Sequence, residues 1–490
     1  MERKRIGFFF LLSFFLLNTA CATLFPERIP ASFERPRKCQ EFFDQLDQRV
    51  DESGVRDASS FIVPGFPYLR TSRFLSAMKE RVRDENEKEQ WIQWMRSLDL
   101  KDRKKEIAQL SSRETGSLDR SSYEARLEFC SNWFLHSDKG RAEFDSVLSS
   151  RLEVPDEYST FMRVVGLYPL FLIPVAGVTE NVRNKIRATF ERDLKDLPIE
   201  GHLQTYTPRE TLCLDEEEVR EMIKASKKNP LGIPLPDENQ EARLIRHFAP
   251  IFVQDVATPY DPPGRVVWKE GRPAIDLQRP TVYTYLSHSF LKGEPILQIN
   301  YVIWYSAREG KVTPWIERGS LDGITLRISL DGRGRPFMVD VMSNCGCYHF
   351  FAPHRERVDQ LVSRPLAFDP FVPQWLPGIP PRNRFGIRVS SARHEVQRVL
   401  SLDPPLDSVP YEIVPYEDLE QLLNEKGELE SLFDSEGIAK GTERMERFIL
   451  FSMGIPWVGS MRQRGHHAIE LIGRVHFDDP YLFDRSFVFK

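Results

Sequence analysis

The sequence carries no large excess of charge of either sign and no long basic run. Its 490 residues include 67 Lys and Arg against 72 Asp and Glu, which gives a formal net charge of −5. A mildly acidic chain of this kind has no electrostatic footprint for nucleic acid. It also lacks the polybasic segment that tethers proteins to an anionic membrane surface. We therefore expect no nucleic-acid partner.

The common catalytic motifs are also absent. The chain contains no H-E-x-x-H, no G-x-S-x-G, no Walker loop and no G-x-G-x-x-G ahead of a helix. These motifs place a metal, a nucleophile or a phosphate in a fixed local geometry. Hydrolase, kinase and dehydrogenase interpretations therefore have no motif support, and whether the protein is an enzyme stays open.

The N-terminus has the pattern of an export signal. A basic head, residues 1–5, precedes the apolar stretch Ile6 to Leu17, and small or polar residues follow as far as Ala22. This order is typical of a secretory signal. The twelve-residue stretch is shorter than the roughly 20 residues that span a bilayer core. We interpret residues 1–22 as a signal peptide or an N-terminal anchor.

Three outcomes of processing are compatible with this segment. Cys21 ends a run that is similar to a bacterial lipoprotein signal, which predicts lipidation, although Asn18 stands where that signal has an aliphatic residue. Cleavage before Thr23 would release a free protein, and no cleavage would leave the segment as an anchor. All three place the body outside the cytoplasm, and we favour a membrane-anchored protein that faces the periplasm.

Six cysteines are few for a chain of this length. An exported compartment permits disulfides, and removal or lipidation of Cys21 leaves an odd number. Cys39 and Cys130 both lie in helical patterns and could pair, but sequence spacing does not fix the connectivity.

The chain changes character along its length, and we predict an α+β fold. Helical periodicity dominates the first part, and short runs rich in β-branched and aromatic residues follow, which is typical of a mainly antiparallel sheet. Proline clusters mark the boundaries. The predicted units are residues 1–22, the signal or anchor; 23–230, mainly helical; 241–362, β-rich; 363–384, a Pro-rich connection; and 385–490, a mixed α/β region that packs on the β domain.

One uncharged apolar stretch interrupts the helical part. Residues 164–178 read VVGLYPLFLIPVAGV, with prolines at positions 169 and 174. Proline removes a backbone donor and disfavours a helix interior. We predict a buried connection, with a segment lying on a membrane as the alternative.

The stretch SNCGCYHFFAPH, residues 343–354, is the strongest candidate for chemistry. If residues 339–351 form one extended strand, then Cys345, Cys347 and His349 point to the same face. His288, at the end of the strand TVYTYL, could complete the set. Thiolate and imidazole ligands suit zinc, copper or iron. Two alternatives stay open: thiol or disulfide chemistry, and buried structural cysteines beside a structural histidine.

A neighbouring strand predicts a ligand pocket. In ILQINYVIWY, Gln298 and Asn300 share a face with Ile296, Val302 and Trp304. Amides among large apolar side chains either line a pocket or are satisfied by neighbouring groups. We add His467, which opens an apolar stretch near the C-terminus, to this candidate pocket.

Several segments together resemble a known group. They are GFPYLRTSRFL, GLYPLFLIP, LQINYVIWYSA, LDGITLRISL, CGCYHFFAP and HFDDP. The chain resembles a family of predicted bacterial exported proteins or lipoproteins of unknown function. The resemblance implies a cell-envelope location and nothing about activity.

These observations support two hypotheses of different class. The first is an envelope protein whose Cys/His site binds zinc, copper or iron for hydrolytic or oxidative chemistry. The second is a non-catalytic scaffold or binding lipoprotein in which the same residues are structural. In either case we predict attachment to the membrane through a lipid or an uncleaved anchor, with unknown protein partners.

Overall fold

The protein is described by a computed structural model that covers residues 37–113, 119–364, 367–380 and 382–490. The predicted signal peptide and the predicted lipidation site, Cys21, lie outside the described residues. The described chain has eleven α-helices and a ten-stranded mixed sheet, which confirms the α+β class. None of its helices is long and apolar enough to cross a membrane.

The first part is a helical unit around a small hairpin. Its elements are α1 (Arg37–Glu52), β1 (Phe61–Val63), β2 (Phe66–Thr71), α2 (Arg73–Met78), α3 (Glu85–Arg113), α4 (Arg120–Lys139) and α5 (Phe144–Arg151). Apolar side chains spaced by three or four residues, such as Phe43, Leu46 and Val50 in α1, form one core. A disulfide joins Cys39 to Cys130 and links α1 to α4, as the sequence allowed.

Two helices follow, α6 (Thr160–Val165) and α7 (Tyr168–Glu191), and they correct the prediction for residues 164–178. The stretch is helical, because Pro169 lies in the first turn of α7, where a missing donor costs nothing, and Pro174 is accommodated inside the helix. It is also not buried: Leu170 and Ile173 expose 68% and 74% of their surface. Phe190 is the only buried residue of α7.

The large sheet organises the rest of the chain. Its strands are β3 (His202–Pro208), β4 (Ile251–Val256), β7 (Thr281–Leu291), β8 (Glu294–Arg308), β9 (Gly319–Leu330), β10 (Pro336–Ser343), β11 (Phe350–Pro353), β13 (Arg384–Val389), β14 (Val396–Leu402) and β15 (Val409–Pro415). The strand order is β11-β10-β9-β8-β7-β15-β3-β4-β13-β14. Most neighbours are antiparallel, but β15 pairs in parallel with both β7 and β3, and β13 pairs in parallel with β4.

Two further short hairpins and one pair of strands that are distant in sequence lie outside this sheet. They are β5 (Arg265–Lys269), β6 (Arg272–Asp276), β16 (Leu422–Leu423), β17 (Leu429–Glu430), and β12 (Val358–Leu361) with β18 (Phe487–Phe489). The remaining helices are α8 (Glu216–Ser226), α9 (Glu238–Phe248), α10 (Glu446–Ile449) and α11 (Leu482–Ser486).

The two faces of the sheet pack differently. Alternate residues of β8, including Leu297, Ile299 and Tyr301, share the main core with side chains of α8 and α9. The opposite face carries Gln298 and Asn300, as the alternation predicted. The C-terminal tail packs on that side, where Ile296 joins a cluster with Phe477 and Phe483. The polar positions of β8 therefore lie between the sheet and the tail.

Candidate functional site

The stretch SNCGCYHFFAPH is a hairpin, which overturns the prediction of one extended strand over residues 339–351. β10 ends at Ser343 and β11 begins at Phe350. Between them the backbone reverses through positive φ angles at Gly346 (89°) and Tyr348 (54°). The Ser343 N–H donates to the Cys347 carbonyl at 3.1 Å, which closes the turn. Residues in a turn do not alternate between faces, so the predicted common face does not form.

The two cysteines of this hairpin interact with each other. The Cys347 backbone N–H donates to Cys345 Sγ at 3.3 Å, and both cysteines are free and half-buried. The hydrogen bond with Cys345 and burial both raise the pKa of the Cys347 thiol well above its usual value. Reactive cysteines need the opposite, a stabilised thiolate in an accessible electropositive site. The geometry favours a structural role for Cys345 and Cys347.

His349 is hydrogen-bonded to the buried ion pair of Arg327 and Asp340. Its Nε2 lies 3.0 Å from Asp340 Oδ2, and the Arg327 guanidinium bonds both carboxylate oxygens of Asp340. Burial lowers the pKa of His349, although Asp340 opposes the shift. The imidazole is therefore a neutral member of a hydrogen-bonded network that holds β9, β10 and the hairpin together.

His288 lies elsewhere. It pairs with Leu297 of β8, its Nε2 is 2.8 Å from the Pro234 carbonyl oxygen, and its ring packs against Phe74 and Trp94. Burial lowers the pKa of His288 to about 4, so the ring is neutral. Within the described residues, no group of three or more His, Cys, Asp or Glu side chains could hold a metal ion. The structure does not assemble the four predicted ligands.

His467 is also structural in its contacts. Its Nε2 lies 3.2 Å from the Asn344 carbonyl oxygen, which belongs to the hairpin turn. Burial, with Arg462 nearby, lowers the pKa of His467 to about 3. The side chain is 4% exposed and does not line the cavity described next.

A cavity of about 730 Å³ opens beside β7. The parallel strand β15 pairs with β7 only as far as Pro415 and Thr284, and the chain then turns into a 3-10 helix, Tyr416–Glu420. In the described chain, the β7 edge from Tyr285 to His288 has no neighbouring strand on this side. Side chains from both faces of the sheet line the cavity, which therefore wraps around this edge.

The backbone along this edge is directed into the cavity. The Phe290 N–H donates to the Pro480 carbonyl at 2.8 Å, away from β8. In an antiparallel ladder, alternate residues direct both backbone groups to the same side. Leu286 and His288, which have the same parity as Phe290, therefore present their N–H and C=O groups to the cavity rather than to β8. A strand edge of this kind is a template for pairing with another extended chain.

Of the two predicted pocket amides, Gln298 lines the cavity, whereas Asn300, on the same face of β8, is fully buried and does not. Gln298 Oε1 accepts from Ser287 Oγ at 3.1 Å, and Gln298 Nε2 donates to Ser329 Oγ at 3.1 Å. Asn300 Nδ2 donates to Ser287 Oγ at 2.9 Å, whereas Asn300 Oδ1 has no hydrogen-bond partner among the described residues. The amides are thus held by neighbouring strands, with one acceptor left over.

Asp478 is the cavity residue that sequence reasoning missed. An Asp-Asp pair before proline is typical of a turn, and only Asp479 fits this pattern, because its side chain accepts from the Tyr481 N–H. Asp478 Oδ2 lies 3.2 Å from Arg73 Nε, while its Oδ1 is buried without a hydrogen-bond partner among the described residues. Burial raises the pKa of Asp478, and Arg73 only partly offsets this. A raised carboxyl pKa in a cleft is a feature of functional sites.

Charges of both signs complete the walls. Arg464 lies over the ring of Tyr285 and donates to Glu417, which also pairs with Lys101 of α3 at 2.6 Å. Burial would raise the pKa of Glu417, but Arg464 and Lys101 outweigh it and lower the pKa to about 2. The cavity therefore offers fixed positive and negative groups around an open strand edge.

Comparison with known protein families, curated proteins and solved structures found no match.

Proposed function

We propose that this chain is a cell-envelope protein that binds a short zwitterionic peptide in the cavity beside β7. The observation that carries the proposal is the unpaired edge of β7 inside the cavity. An extended peptide that adds to a sheet edge gains main-chain hydrogen bonds, and side pockets supply specificity. The volume is within the range of small-ligand pockets, roughly 300–1,000 Å³.

The charges of the cavity suit both ends of such a ligand. In the cavity wall, Asp478 Oδ1 is a buried acceptor without a donor among the described residues. A buried polar atom without a partner costs about 1–3 kcal/mol, which a ligand donor such as an ammonium group would recover. Arg73 and Arg464 line the same space as positive groups that attract a carboxylate, whereas Arg327 is held by Asp340.

The location rests on the N-terminal export pattern and the resemblance to exported proteins. The disulfide between Cys39 and Cys130 supports it, because disulfides persist in oxidising compartments. Metal-assisted chemistry at Cys345, Cys347, His349 and His288 is the less favoured function. His288 and His349 are held by separate partners, Pro234 and Asp340.

A second candidate is favoured by one observation, the raised pKa of Asp478. A carboxyl group that binds its proton more tightly than an ordinary one can act as a general acid or base. Asp478 would then transfer a proton to or from the bound peptide, and the protein would be an enzyme. Product analysis of the binding experiment below separates the two: turnover supports the enzyme, and unchanged peptide supports the binding protein.

The proposal is tested by titration calorimetry with trialanine. Two matched probes accompany it: N-acetyl-trialanine amide, which has the same backbone without terminal charges, and trialanine with an N-methylated central residue, which cannot pair fully with a strand edge. We expect saturable binding of trialanine below about 1 mM, with at least tenfold weaker binding of either modified peptide.

Two variants test the place of binding. Asp478→Asn keeps the shape of the wall and removes the charge, so we expect at least tenfold weaker binding of trialanine. Asp407→Asn removes a carboxylate from an exposed loop and should change the affinity less than twofold. Equal binding of all three peptides, or unchanged affinity in Asp478→Asn, would contradict the proposal.

A further inference from the structure

Exposed apolar side chains cluster on α6, the first half of α7 and α10, and we call this surface the apolar ridge. Its most exposed members are Phe161, Val164, Leu170, Ile173, Val178 and Phe448, with between 63% and 74% of each residue accessible. A contiguous exposed apolar surface on a folded protein marks an interaction site. The cavity beside β7 is not part of it.

The ridge is a built feature and not a loose helix. The Ser159 N–H donates to the Gly454 carbonyl at 2.6 Å, and Arg163 Nε donates to the Met453 carbonyl at 2.9 Å. Gly166, at the corner between α6 and α7, lies so close to Ser452 that a Cβ would fall 2.6 Å from its Cα. These contacts fix α6 and the corner before α7 against the 3-10 turn that follows α10.

We propose that the apolar ridge inserts into the interfacial layer of a lipid bilayer. The exposed positions of α7 between residues 169 and 178 cover an arc of about 200° at 100° per residue. A flat protein partner covers one face of a helix, whereas a bilayer surrounds an inserted helix on most of its circumference. An exposed apolar arc of about 200° is wider than the stripe of roughly 100° with which a helix packs against one neighbouring surface.

Charge and aromatic residues at the edge of the ridge fit a lipid surface. Between residues 160 and 192 there are five basic and two acidic side chains, against a net charge of −5 for the whole chain. Arg163 lies over the rings of Tyr158 and Tyr168, and Arg447 lies over those of Phe448 and Trp457. Aromatic rings and long cations are enriched at the level of lipid headgroups, and positive charge favours anionic lipids.

The length of the ridge sets the depth of insertion. The uncharged part of α7, residues 168–178, is about 16 Å long at 1.5 Å per residue. The hydrocarbon core of a bilayer is about 30 Å thick. The ridge therefore enters one leaflet and does not cross the membrane, which orients the body against the surface through a contact separate from the N-terminus.

Depth-dependent fluorescence quenching in the full chain tests this contact at single positions. Cys213→Ser first removes the exposed thiol. Ile173→Cys, or Leu406→Cys on the loop between β14 and β15 as control, then carries an environment-sensitive fluorophore. The vesicles contain phosphatidylethanolamine, phosphatidylglycerol and a lipid with a nitroxide on its acyl chain. We expect at least twofold quenching at position 173 and none at position 406.

A second pair of variants separates insertion from other occupants. With the fluorophore on Phe448→Cys, the double change Leu170→Gln and Ile173→Gln should reduce quenching at least fivefold. Phe129→Gln, which changes an aromatic residue of α4 that is 59% exposed, should change the quenching less than twofold. The proposal is overturned by an unquenched position 173 on vesicle-bound protein or by absence of vesicle binding. It is equally overturned by energy transfer between labels at position 173 of two copies, which would make the ridge a self-association surface.

Discussion

The hairpin turn of residues 344–349 and the cavity wall at Asp478 differ in how completely their polar groups are partnered. In the turn, the Cys347 N–H, the His349 ring and both ends of the Asn344 amide have partners within the protein. At the cavity wall, Asp478 Oδ1 has none among the described residues. The cysteines and the histidine of the turn thus lie among hydrogen-bonded groups, whereas Asp478 has a buried carboxylate oxygen without a hydrogen-bond donor among the described residues.

This contrast separates structural from functional polar groups. A network whose members are all hydrogen-bonded rigidifies the fold and has no capacity left for a ligand. An unpartnered buried acceptor lowers stability and gains a partner only when something binds. We therefore expect changes in the turn region to reduce stability and changes at the cavity wall to reduce binding.

The largest expected difference is between two isosteric substitutions, Asp340→Asn and Asp478→Asn. Asp340 is 0% exposed and pairs with Arg327 and His349, so its neutralisation leaves a buried guanidinium uncompensated and should cost about 3–5 kcal/mol. Asp478 borders the cavity, where water can replace its charge, so the same change should cost less than about 1 kcal/mol. Urea denaturation measures both, and equal losses would remove the contrast.

The two regions should also respond to pH with opposite sign. His467, which bonds the turn, has a folded-state pKa of about 3 against a usual value of 6.5. The unfolded chain therefore binds a proton first as the pH falls, and stability is lost between about pH 6.5 and pH 3, by about 5 kcal/mol at most. His467→Gln should remove this loss.

Asp478 gives the free energy of unfolding the opposite pH dependence. Its pKa is raised in the folded state, so the unfolded chain releases the proton first as the pH rises above the ordinary value of 3.8. Its contribution to stability is then lost as the pH rises through the folded-state pKa. Unfolding free energies from pH 4 to pH 8 measure the slope. Asp478→Asn should make the protein more stable relative to wild type at the upper end of this range, and a relative loss there would contradict the assignment.

The smallest expected effect concerns the thiols. Because the pKa of Cys347 is raised, a maleimide at pH 7 should label the exposed Cys213 first, with Cys347 at least tenfold slower. Cys347→Ser should cost about 1 kcal/mol or slightly more, since a small buried group is replaced by a similar one. Rapid labelling of Cys347, measured by mass spectrometry of peptides, would instead indicate a reactive thiol in the turn.

Sequence reasoning identified much of the framework. Alternation along β8 placed Gln298 and Asn300 on one face, and the pairing of Cys39 with Cys130, which the sequence allowed without fixing it, is present in the structure. It failed where the backbone departs from regular geometry. Tyr348 adopts a positive φ angle, which is not expected of a tyrosine, and Pro174 is tolerated inside a helix.

The cavity could not be predicted from local patterns. Its wall joins Arg73 to Asp478, which are 405 positions apart in the chain. It also depends on β15 leaving β7 after Thr284, a property of two strands that are more than 120 residues apart. The only sequence signal was the pair of amides on β8, which points to the strand and not to the residues opposite it.

The most direct test of the account is to measure stability and trialanine affinity together for Asp478→Asn and Cys347→Ser. We predict that both variants unfold within about 1 kcal/mol of wild type or slightly more, that Asp478→Asn binds trialanine at least tenfold more weakly, and that Cys347→Ser binds it with unchanged affinity. The opposite pattern, with lost affinity in Cys347→Ser and intact affinity in Asp478→Asn, would return the functional site to the cysteine-histidine turn and contradict the account.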